Sequence, residues 1–310
     1  MTIAKPVMVI GSLNMDLVAR CQRLPHTGQT VFGTDFFTAA GGKGANQAVA
    51  AARLGARVAM TGCVGDDQSG RDLVAGLRRD GVRCDAVRTA ARPTGTALIT
   101  IDAAGANTIV VISGANAACD TALVDRALAG AERPGILLLQ HEIPEDANAH
   151  AIRAARTAGW FIVLNPAPAR PVMPALLRLI DVIVPNETEA AALTGSDDPY
   201  EAARRLVALG ARAALITLGG EGALYCDAGG ALRCPAVEVQ AVDTTAAGDA
   251  YIGALAAGLA EHSSVADSLG FAAAAAGLAV TRLGAQPSLA TREEAMEFVQ
   301  RYGMPAAVTA

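Results

Sequence analysis

The fold is decided by three consecutive segments in the middle of the chain, Ile136-Leu-Leu-Leu-Gln140, Asp146 to Thr157 and Phe161-Ile-Val-Leu164. The outer two are short apolar runs, and the segment between them has the spacing of an amphipathic helix. Continuous apolar strands joined by a helix are typical of a parallel sheet that is covered on both faces. The same rhythm recurs in apolar runs at Pro6 to Ile10, Val58 to Val64, Val182 to Val184 and Ala214 to Thr217, and in amphipathic segments at Gly44 to Leu54, Gln68 to Arg79 and Tyr200 to Leu209. We therefore predict an α/β fold with a central, mostly parallel sheet flanked by helices.

Two segments, at about 13–40 and 94–113, break this rhythm. They alternate polar and apolar residues, and Ala103-Ala-Gly-Ala106 has the composition of a hairpin turn. We expect a small antiparallel sheet that projects from the parallel core and forms a lid over the ligand. An edge extension or a surface between subunits is the alternative. The chain is expected to form one domain over 1–310, which ends in helical segments at Val265 to Leu283 and Thr291 to Tyr302.

The composition points to a small-molecule ligand. Of the 310 residues, 52% are hydrophobic and 18% are charged, and the formal net charge is −5. Nucleic acid and anionic membranes are not expected as partners, because both require a basic surface. No apolar run reaches membrane-spanning length and the first residues lack a signal-peptide pattern, so we expect a cytoplasmic protein. The six cysteines lack metal-site spacing and are expected to be reduced, although Cys226 and Cys234 flank a predicted hairpin turn.

An anion site is predicted at Asp243-Thr-Thr-Ala-Ala-Gly-Asp249, which runs directly into the apolar helix Tyr251 to Leu259. The three small residues before Asp249 leave room for close approach, and their amides at a helix start would point towards a negative charge. A transferring phosphoryl group is the obvious anion. Asp249 would then lie close enough to accept a proton from the attacking hydroxyl. A capped, alanine-rich helix is the alternative.

Two further segments predict a site for a polyol. In Gly41-Gly-Lys-Gly-Ala-Asn46 the glycines permit close approach of a ligand, and the Lys and Asn side chains supply donors. Gly11-Ser-Leu-Asn-Met-Asp16 follows the first strand, where Asn14 and Asp16 would share a face. The first lacks the spacing of a phosphate-binding loop, and the second lacks that of a dinucleotide-binding loop. A glycine-rich helix entry and an Asx turn are the alternatives.

Three more turns offer oxygen ligands or close approach. Pro185-Asn-Glu-Thr-Glu189 could position hydrated Mg²⁺ and phosphate oxygens, and a helix cap with an acidic first turn fits equally well. Thr217-Leu-Gly-Gly-Glu-Gly222 could pass under a nucleotide. Arg282-Leu-Gly-Ala-Gln-Pro-Ser288, together with Asp243, could form an oxygen cage for a monovalent cation or only an ordinary turn.

Taken in order, these motifs, with Asn165-Pro-Ala-Pro-Ala169, resemble the ribokinase branch of the phosphofructokinase-B family of sugar kinases. The resemblance covers nearly the whole chain. Asp-Thr-x-Ala-Ala-Gly-Asp marks the family broadly, whereas Gly-Gly-Lys-Gly-Ala-Asn-Gln is much more specific to the ribokinase branch. The chain departs from the commonest pattern at Ala250-Tyr251, where Thr-Phe is usual, and at Ala273, which leaves nucleotide selectivity open.

The resemblance implies MgATP-dependent phosphorylation of D-ribose at its 5-hydroxyl, with Asp249 as the base and the amides of Ala246, Ala247 and Gly248 as the anion hole. It implies ribose contacts at Asn14, Met15, Asp16, Gly42, Lys43, Gly44, Ala45, Asn46, Glu142 and Asp249. It implies ATP contacts at Asn186, Thr217, Leu218, Gly219, Gly220, Glu221, Gly222, Gly248, Asp249 and Ala273. It implies Mg²⁺ placed by Glu189, and K⁺ bound by Asp243, Thr245, Ala279, Arg282, Gly284 and Ser288.

The resemblance also implies a homodimer in which the lid sheets of two subunits pair. Three alternatives remain open at this point. The first is a kinase for deoxyribose, another pentose or a nucleoside, and the second is a non-catalytic sugar-binding protein on the same fold. The third, a nucleotide-dependent oxidoreductase, is disfavoured because the chain lacks GxGxxG.

Overall fold

The computed structural model describes residues 4–131, 134–261 and 264–310. The strands are β1 (Val7–Ile10), β2 (Asn14–Cys21), β3 (Gly33–Gly41), β4 (Val58–Gly65), β5 (Arg83–Ala90), β6 (Gly95–Ile101), β7 (Asn107–Ile112), β8 (Ile136–Gln140), β9 (Phe161–Asn165), β10 (Val182–Ile183), β11 (Ala213–Thr217), β12 (Ala223–Asp227), β13 (Gly230–Cys234) and β14 (Val308–Thr309). The helices are α1 (Lys43–Arg53), α2 (Gln68–Arg79), α3 (Thr121–Ala129), α4 (Glu145–Thr157), α5 (Pro174–Leu177), α6 (Glu187–Thr194), α7 (Pro199–Ala208), α8 (Ala247–Ala260), α9 (Val265–Ala279) and α10 (Arg292–Tyr302).

The large sheet has the order β14-β13-β12-β11-β10-β9-β8-β1-β4-β5 within the described residues. All strands from β11 to β5 in that order pair in parallel. β12, β13 and β14 extend this parallel sheet at one side with antiparallel pairs. The predicted α/β fold with a mostly parallel sheet is confirmed.

Helices cover both faces of the large sheet. Every residue of β1 and β8 is buried, because each face packs against a separate apolar cluster. One cluster contains Val49 of α1 and Leu255 of α8, and the other contains Val124 of α3 and Ile152 of α4. Since neither face is exposed to solvent, these strands are continuously apolar rather than alternating.

Small residues bring α1 and α8 into close contact. A Cβ added at Gly253 of α8 would lie 2.4 Å from the Cβ of Ala50 in α1, so a larger residue at position 253 would push the helices apart. The amino ends of α1 and α8 also lie side by side, since Asn46 and Gln47 of α1 bond Asp249 of α8. The motifs at 41–46 and 243–249, which were predicted to begin these helices, are therefore neighbours.

The small sheet, defined as β3-β2-β6-β7 in that order, confirms the predicted second sheet. β2 and β3 are antiparallel, and so are β6 and β7, with residues 102–106 turning between them. The central pair, β2 and β6, is parallel, because the chain passes through the large sheet between these two strands. The prediction of an all-antiparallel sheet therefore holds for two of its three pairings. All six residues of β7 are exposed.

Helix ends follow the local capping signals. α2 has the predicted bounds, and Thr291 caps α10 in a capping box with Glu294. α8 begins at Ala247, earlier than its apolar run indicates, so Asp249 lies inside the first turn. α9 ends at Ala279, so residues 280–283, which were predicted to be helical, lie outside the helix.

All six cysteines are buried and free, so Cys226 and Cys234 form no disulfide. No helix among residues 4–131, 134–261 and 264–310 is long and apolar enough to cross a membrane.

Candidate active site

The predicted site residues meet at the carboxyl ends of the parallel strands. β1 lies between β4 and β8 in the large sheet. After β1 the chain adds β4 and β5 on one side of β1, and it later adds β8 and β9 on the other side. Open α/β sheets bind ligands at such a crossing point. Ser12 follows β1, Glu142 follows β8, and Asn165 ends β9.

Asp249 is the buried acid at the centre of this site. Its Oδ2 accepts a hydrogen bond from Asn46 Nδ2 at 3.0 Å, and its Oδ1 accepts one from Gln47 Nε2 at 2.9 Å. Burial raises the pKa of Asp249 and Glu142 adds to the rise, while Lys43 and the two amides act in the opposite direction. A carboxylate with a raised pKa is a stronger base than a free aspartate, as general base catalysis requires.

The turn before Asp249 is held in an uncommon conformation. Ala246, the residue that precedes α8, has a φ of 60° and is the only non-glycine residue with positive φ in the described ranges. An alanine in this left-handed region costs about 1–2 kcal/mol. Ala247 N donates to Thr244 O at 3.2 Å, which closes the turn, and Gly248 lies beyond it in open space. Backbone strain of this kind is concentrated at functional sites.

Asn14, Asp16 and Gly42, which belong to the two predicted polyol segments, are buried. Asn14 Oδ1 accepts from Asn116 Nδ2 at 2.7 Å, so the amide orientation of Asn14 is set. Burial, together with the charges of Glu142 and Asp249, raises the pKa of Asp16 to about 7. A Cβ at Gly42, whose φ is 89°, would lie 2.7 Å from Asn14 N. Only glycine fits between the two segments at this position.

Glu142 connects both polyol segments. Its Oε2 accepts from Ser12 Oγ at 2.5 Å and from Lys43 N at 3.0 Å. Arg170 donates to the carbonyl oxygens of His141 and Ile143, which flank Glu142 in the chain. A cavity of about 350 Å³ lies beside Glu142 and Asn14 and reaches Val111 of β7 in the small sheet.

Lys43 is the cation of the site. Burial alone would lower the pKa of Lys43, but the carboxylates of Asp249, Glu142 and Glu189 outweigh burial and raise it. Lys43 lines a polar cavity of about 210 Å³ together with Asp249 and Glu189. The alanine-glycine turn at the start of α8 forms another wall of this cavity. A cation and a helix amino end that face one cavity favour an anionic ligand.

A larger, mainly apolar cavity of about 420 Å³ adjoins the polar one, since Thr217, Thr244, Ala247 and Gly248 line both. Gly219, Gly220 and Gly222 form one side of this larger cavity. Ala273 of α9 also lines it. An apolar slot that opens onto an anion site suits a flat base attached to phosphates.

The comparisons with known proteins agree with this geometry. The model of the pfkB family carbohydrate kinases matches residues 4–292. The chain belongs to this family. It is 41% identical over 299 residues to a ribokinase of Schizosaccharomyces pombe, with 91% of this chain and 94% of the relative covered. A deoxyribokinase of Salmonella typhi is 35% identical over 300 residues, with 94% and 98% covered.

The solved structure of Arabidopsis thaliana ribokinase complexed with ribose and ATP superposes with a TM-score of 0.86 at 34% identity, over 96% of this chain and 99% of that one. The predicted family resemblance is confirmed, and this member of the pfkB family is a carbohydrate kinase.

Some predicted contact residues of this pfkB kinase lie away from the cavities. Met15 and Ala45 are buried in the apolar core. Leu218 is also buried in the core, and the exposed Glu221 pairs with Arg233. The side chains of Met15, Ala45 and Leu218 pack in the core, so these three residues offer only their main-chain atoms to a ligand.

Asn186 and Glu189 form the helix cap that the sequence left as an alternative. Asn186 Oδ1 accepts from Glu189 N at 2.8 Å, and Glu189 Oε2 accepts from Asn186 N at 2.9 Å. Both residues still line the polar cavity, where burial raises the pKa of Glu189. Within the described ranges, no group of three or more His, Cys, Asp or Glu side chains could hold a metal by itself.

The predicted monovalent-cation residues are brought together only partly. Asp243 accepts from Gly284 N at 2.8 Å and from Thr245 N at 2.9 Å, which joins the two segments. Although burial opposes them, these bonds hold the pKa of Asp243 below its usual value. Ser288 Oγ donates to Ala285 O at 2.7 Å, and Arg282 donates to Glu294. The carbonyl oxygen of Ala279 accepts from Arg282 N.

Five buried polar residues of the site were missed by sequence reasoning, namely Ser12, Gln47, Asn116, Gln140 and Asn165. Ser12, Gln47 and Asn165 lie inside the quoted motifs, and that position was the available signal. Asn116 and Gln140 carry no local signal, because each contacts the site from a distant part of the chain.

Proposed function

We propose that this pfkB kinase is an ATP-dependent ribokinase that phosphorylates the 5-hydroxyl of D-ribose to give D-ribose 5-phosphate and ADP. The observation that carries the proposal is the buried Asp249 carboxylate, which accepts a hydrogen bond from Asn46 of the polyol segment and lines one cavity with the anion turn of α8. The relatives that match over nearly their whole length support the same reaction, and the Arabidopsis thaliana relative was solved with ribose and ATP.

In the proposed mechanism Asp249 removes the proton of the 5-hydroxyl as the oxygen attacks the γ-phosphorus. A new sugar O–P bond forms, the bond from the γ-phosphorus to its bridging oxygen breaks, and ADP leaves with the electron pair. The proton passes from Asp249 to solvent after the transfer. Phosphoryl transfer of this type needs mainly positioning and charge stabilisation. Lys43 and the amides at the start of α8, including those of Ala246 and Gly248, supply the positive field for the transferred group.

Sugar recognition rests on donors and acceptors that are already fixed. Asn14 presents its amide nitrogen, because Asn116 occupies its oxygen. Asn46 Oδ1 is buried without a hydrogen-bond partner, so a sugar hydroxyl that donates to it would remove an unsatisfied acceptor. Asp16 and Glu142 add carboxyl oxygens beside the same space. Main-chain atoms of Met15, Gly42, Gly44 and Ala45 complete the proposed ribose contacts.

ATP is proposed to place its base in the apolar cavity against Ala273 and its phosphates in the polar cavity. The turn from Thr217 through Leu218, Gly219, Gly220 and Glu221 to Gly222 would line the base and ribose of the nucleotide, and Asn186 the phosphates. Mg²⁺ binds through one or two carboxylates plus phosphate oxygens, and the half-buried carboxylate of Glu189, which lines the polar cavity, fits this donor set. The ion would neutralise charge on the phosphates.

K⁺ is proposed to bind where the 243–245 and 282–288 segments meet. Monovalent cations prefer carbonyl oxygens, and the hydrogen bond from Gly284 to Asp243 joins the two segments that carry the proposed carbonyl ligands. The proposed ligands are Asp243, Thr245, Ala279, Arg282, Gly284 and Ser288, through the carboxylate of the first and mainly backbone carbonyls of the others.

We further propose that the small sheet is a lid that pairs with its copy in a homodimer. Its outer strand β7 exposes a row of apolar side chains, including Ile109, Val110 and Val111. An exposed apolar edge strand is an association surface unless it is covered. The single-domain organisation over 1–310, the lid role of about 13–40 and 94–113 and the cytoplasmic location stay predictions.

The proposal is tested by measuring ADP release with MgATP and ribose, with and without K⁺. Ribose-dependent ADP formation that K⁺ increases is the expected result, and its absence under both conditions would rule out ribose as the substrate.

The second candidate is a deoxyribokinase, which the Salmonella typhi relative supports. A comparison of kcat/KM for ribose and 2-deoxyribose separates them, because losing one hydroxyl leaves buried polar partners unpaired. A sugar-binding protein without catalysis would bind ribose and release no ADP.

A further inference from the structure

Gln47 is a fully buried side chain that contacts Asp249 directly. Its Nε2 donates to Asp249 Oδ1 at 2.9 Å and to Asn165 Oδ1 at 3.1 Å. Gln140 Nε2 donates to Gln47 Oε1 at 2.7 Å. Because an amide oxygen cannot donate, this last bond forces the nitrogen of Gln47 to face Asp249. The orientation of Gln47 is therefore fixed by a residue of β8 on the other side of the amide.

The neighbours of Gln47 are themselves held. Asn165 Nδ2 donates to Val184 O at 2.9 Å, which fixes its oxygen towards Gln47. Asn148 of α4 donates to the backbone carbonyl of Gln140 at 2.7 Å. The side-chain amides of Gln140, Gln47 and Asn165 form a buried chain that runs from the sheet to Asp249, and Asn148 lies outside this chain because it bonds only a backbone carbonyl. In a low-dielectric interior such a chain rigidifies the group at its end.

The two oxygens of Asp249 are not equivalent in this arrangement. Oδ1 is bound by Gln47, whose side chain has no exposure to solvent. Oδ2 is bound by Asn46, a residue of the polyol segment 41–46 whose own side-chain oxygen lacks a hydrogen-bond partner. A sugar hydroxyl that takes the place of the Asn46 donor would bind Oδ2, whereas the Gln47 donor at Oδ1 is held by its further bonds to Asn165 and Gln140.

We infer that Gln47 is a positioning residue that keeps Asp249 ionised and occupies Oδ1, so that Oδ2 is the atom that takes the proton from the sugar hydroxyl. The inference rests on the proposed function, because it assigns the atom that acts in the proposed proton transfer.

A hydrogen bond donated to a carboxylate favours its ionised form. Removing the Gln47 donor should therefore raise the pKa of Asp249 and move the acid limb of the kcat profile upwards by about one pH unit. The charged groups that face Asp249 are Lys43 on α1, Asp16 on β2, Glu142 after β8 and Glu189 on α6. All four stay unchanged in the variants below.

The experiment measures kcat and KM for ribose against pH in the wild type, Gln47→Met and Gln47→Glu. Met has the length of Gln but cannot donate, so we expect the acid limb of kcat to shift upwards with KM for ribose changed less than about twofold. Asn148→Leu is the matched control, since it removes an equally buried amide that bonds only a backbone carbonyl. Asn148→Leu should lower the midpoint temperature of unfolding and leave the acid limb of the kcat profile unchanged.

Gln47→Glu keeps the shape of the side chain, so it tests the role of Gln47 if the Met variant does not fold. The introduced carboxyl can donate to Asp249 only while it holds a proton, so kcat should fall as pH rises and the pair loses that proton. An unmoved acid limb in Gln47→Met, or a wild-type alkaline plateau in Gln47→Glu, would overturn the inference. Failure of the proposed function is seen separately, as a wild type that releases no ADP with ribose.

Discussion

Asn116 Nδ2 donates to Asn14 Oδ1 at 2.7 Å, and Asn116 Oδ1 accepts from Leu13 N at 2.9 Å. Asn116 is buried in the turn after β7, while Asn14 begins β2, so the bond joins the end of the small sheet's hairpin to the proposed sugar site. Asn116 Nδ2 also contacts Leu13 O at 3.1 Å. The amide pair therefore fixes which end of Asn14 faces the pocket.

Asn116→Leu should weaken ribose binding because Asn14 then loses the partner that orients it. A buried hydrogen-bonding group left unpaired costs about 1–3 kcal/mol, so we expect KM for ribose to rise about tenfold or more. KM for ATP should change little, since Asn116 lies on the sugar side. Steady-state kinetics with each substrate varied in turn provides the check, and an equal rise in both KM values would contradict the assigned role.

Gly42→Ala should destabilise the protein more than the same change at an open glycine. The new Cβ at position 42 would lie 2.7 Å from Asn14 N, in addition to the strain of a φ of 89°. Gly159 has a φ of 80° with nothing within 4 Å, so Gly159→Ala is the matched control and carries only the backbone cost of about 1–2 kcal/mol. Chemical denaturation compares the two. A free energy of unfolding that falls equally in both variants would show that the site tolerates a Cβ.

Asp16 should make the ligand-free protein less stable as pH rises. Its pKa is raised from 3.8 to about 7 in the folded state, so the folded state holds a proton that the unfolded state has lost. This contribution to stability is fully present below pH 3.8 and disappears as pH rises to about 7. Asp16→Asn removes the titration, so the variant should gain stability relative to wild type between pH 4 and 7. Urea unfolding across this range measures the difference, and a constant difference would contradict the assigned pKa direction.

Ile109→Glu should convert the proposed dimer into monomers without unfolding the chain. Ile109 is 54% exposed on β7 of the small sheet, so a charge there faces solvent in the monomer and would be buried in a paired edge. Val308→Glu is the control, because Val308 is 57% exposed on β14 at the edge of the other sheet. Sedimentation analysis should report a halved mass for the first variant alone. A monomeric wild type would contradict the proposed homodimer.

The sequence predicted those parts of the fold that have local signals. α2 has the predicted bounds because its capping Asp67 and its amphipathic pattern lie within a few residues of each other. β5 was missed, since Arg83 and its charged neighbours break the apolar pattern on the last strand of the sheet. The parallel pairing of β2 and β6 was missed as well, because strand direction depends on the path of the chain between them.

The sequence predicted the site residues that stand in motifs, but it did not predict the buried amides that hold those residues in place. Asp249 and Asn14 stand in motifs with recognisable spacing, so their roles could be proposed without the fold. Gln47 lies 202 residues from Asp249, and Asn116 lies 102 residues from Asn14. Only the folded chain brings these amides together, and a buried Asn or Gln has no pattern that distinguishes it from a surface one.

The central claim is that Asp249 is the base of a ribose kinase reaction. ADP release measured with MgATP and saturating ribose, for wild type and Asp249→Asn, tests it most directly. We predict ribose-dependent turnover in the wild type and a fall in kcat of about 10²–10⁴-fold in the variant, with ribose affinity nearly unchanged. Near-wild-type turnover in Asp249→Asn, or turnover in the wild type that ribose does not increase, would contradict the account.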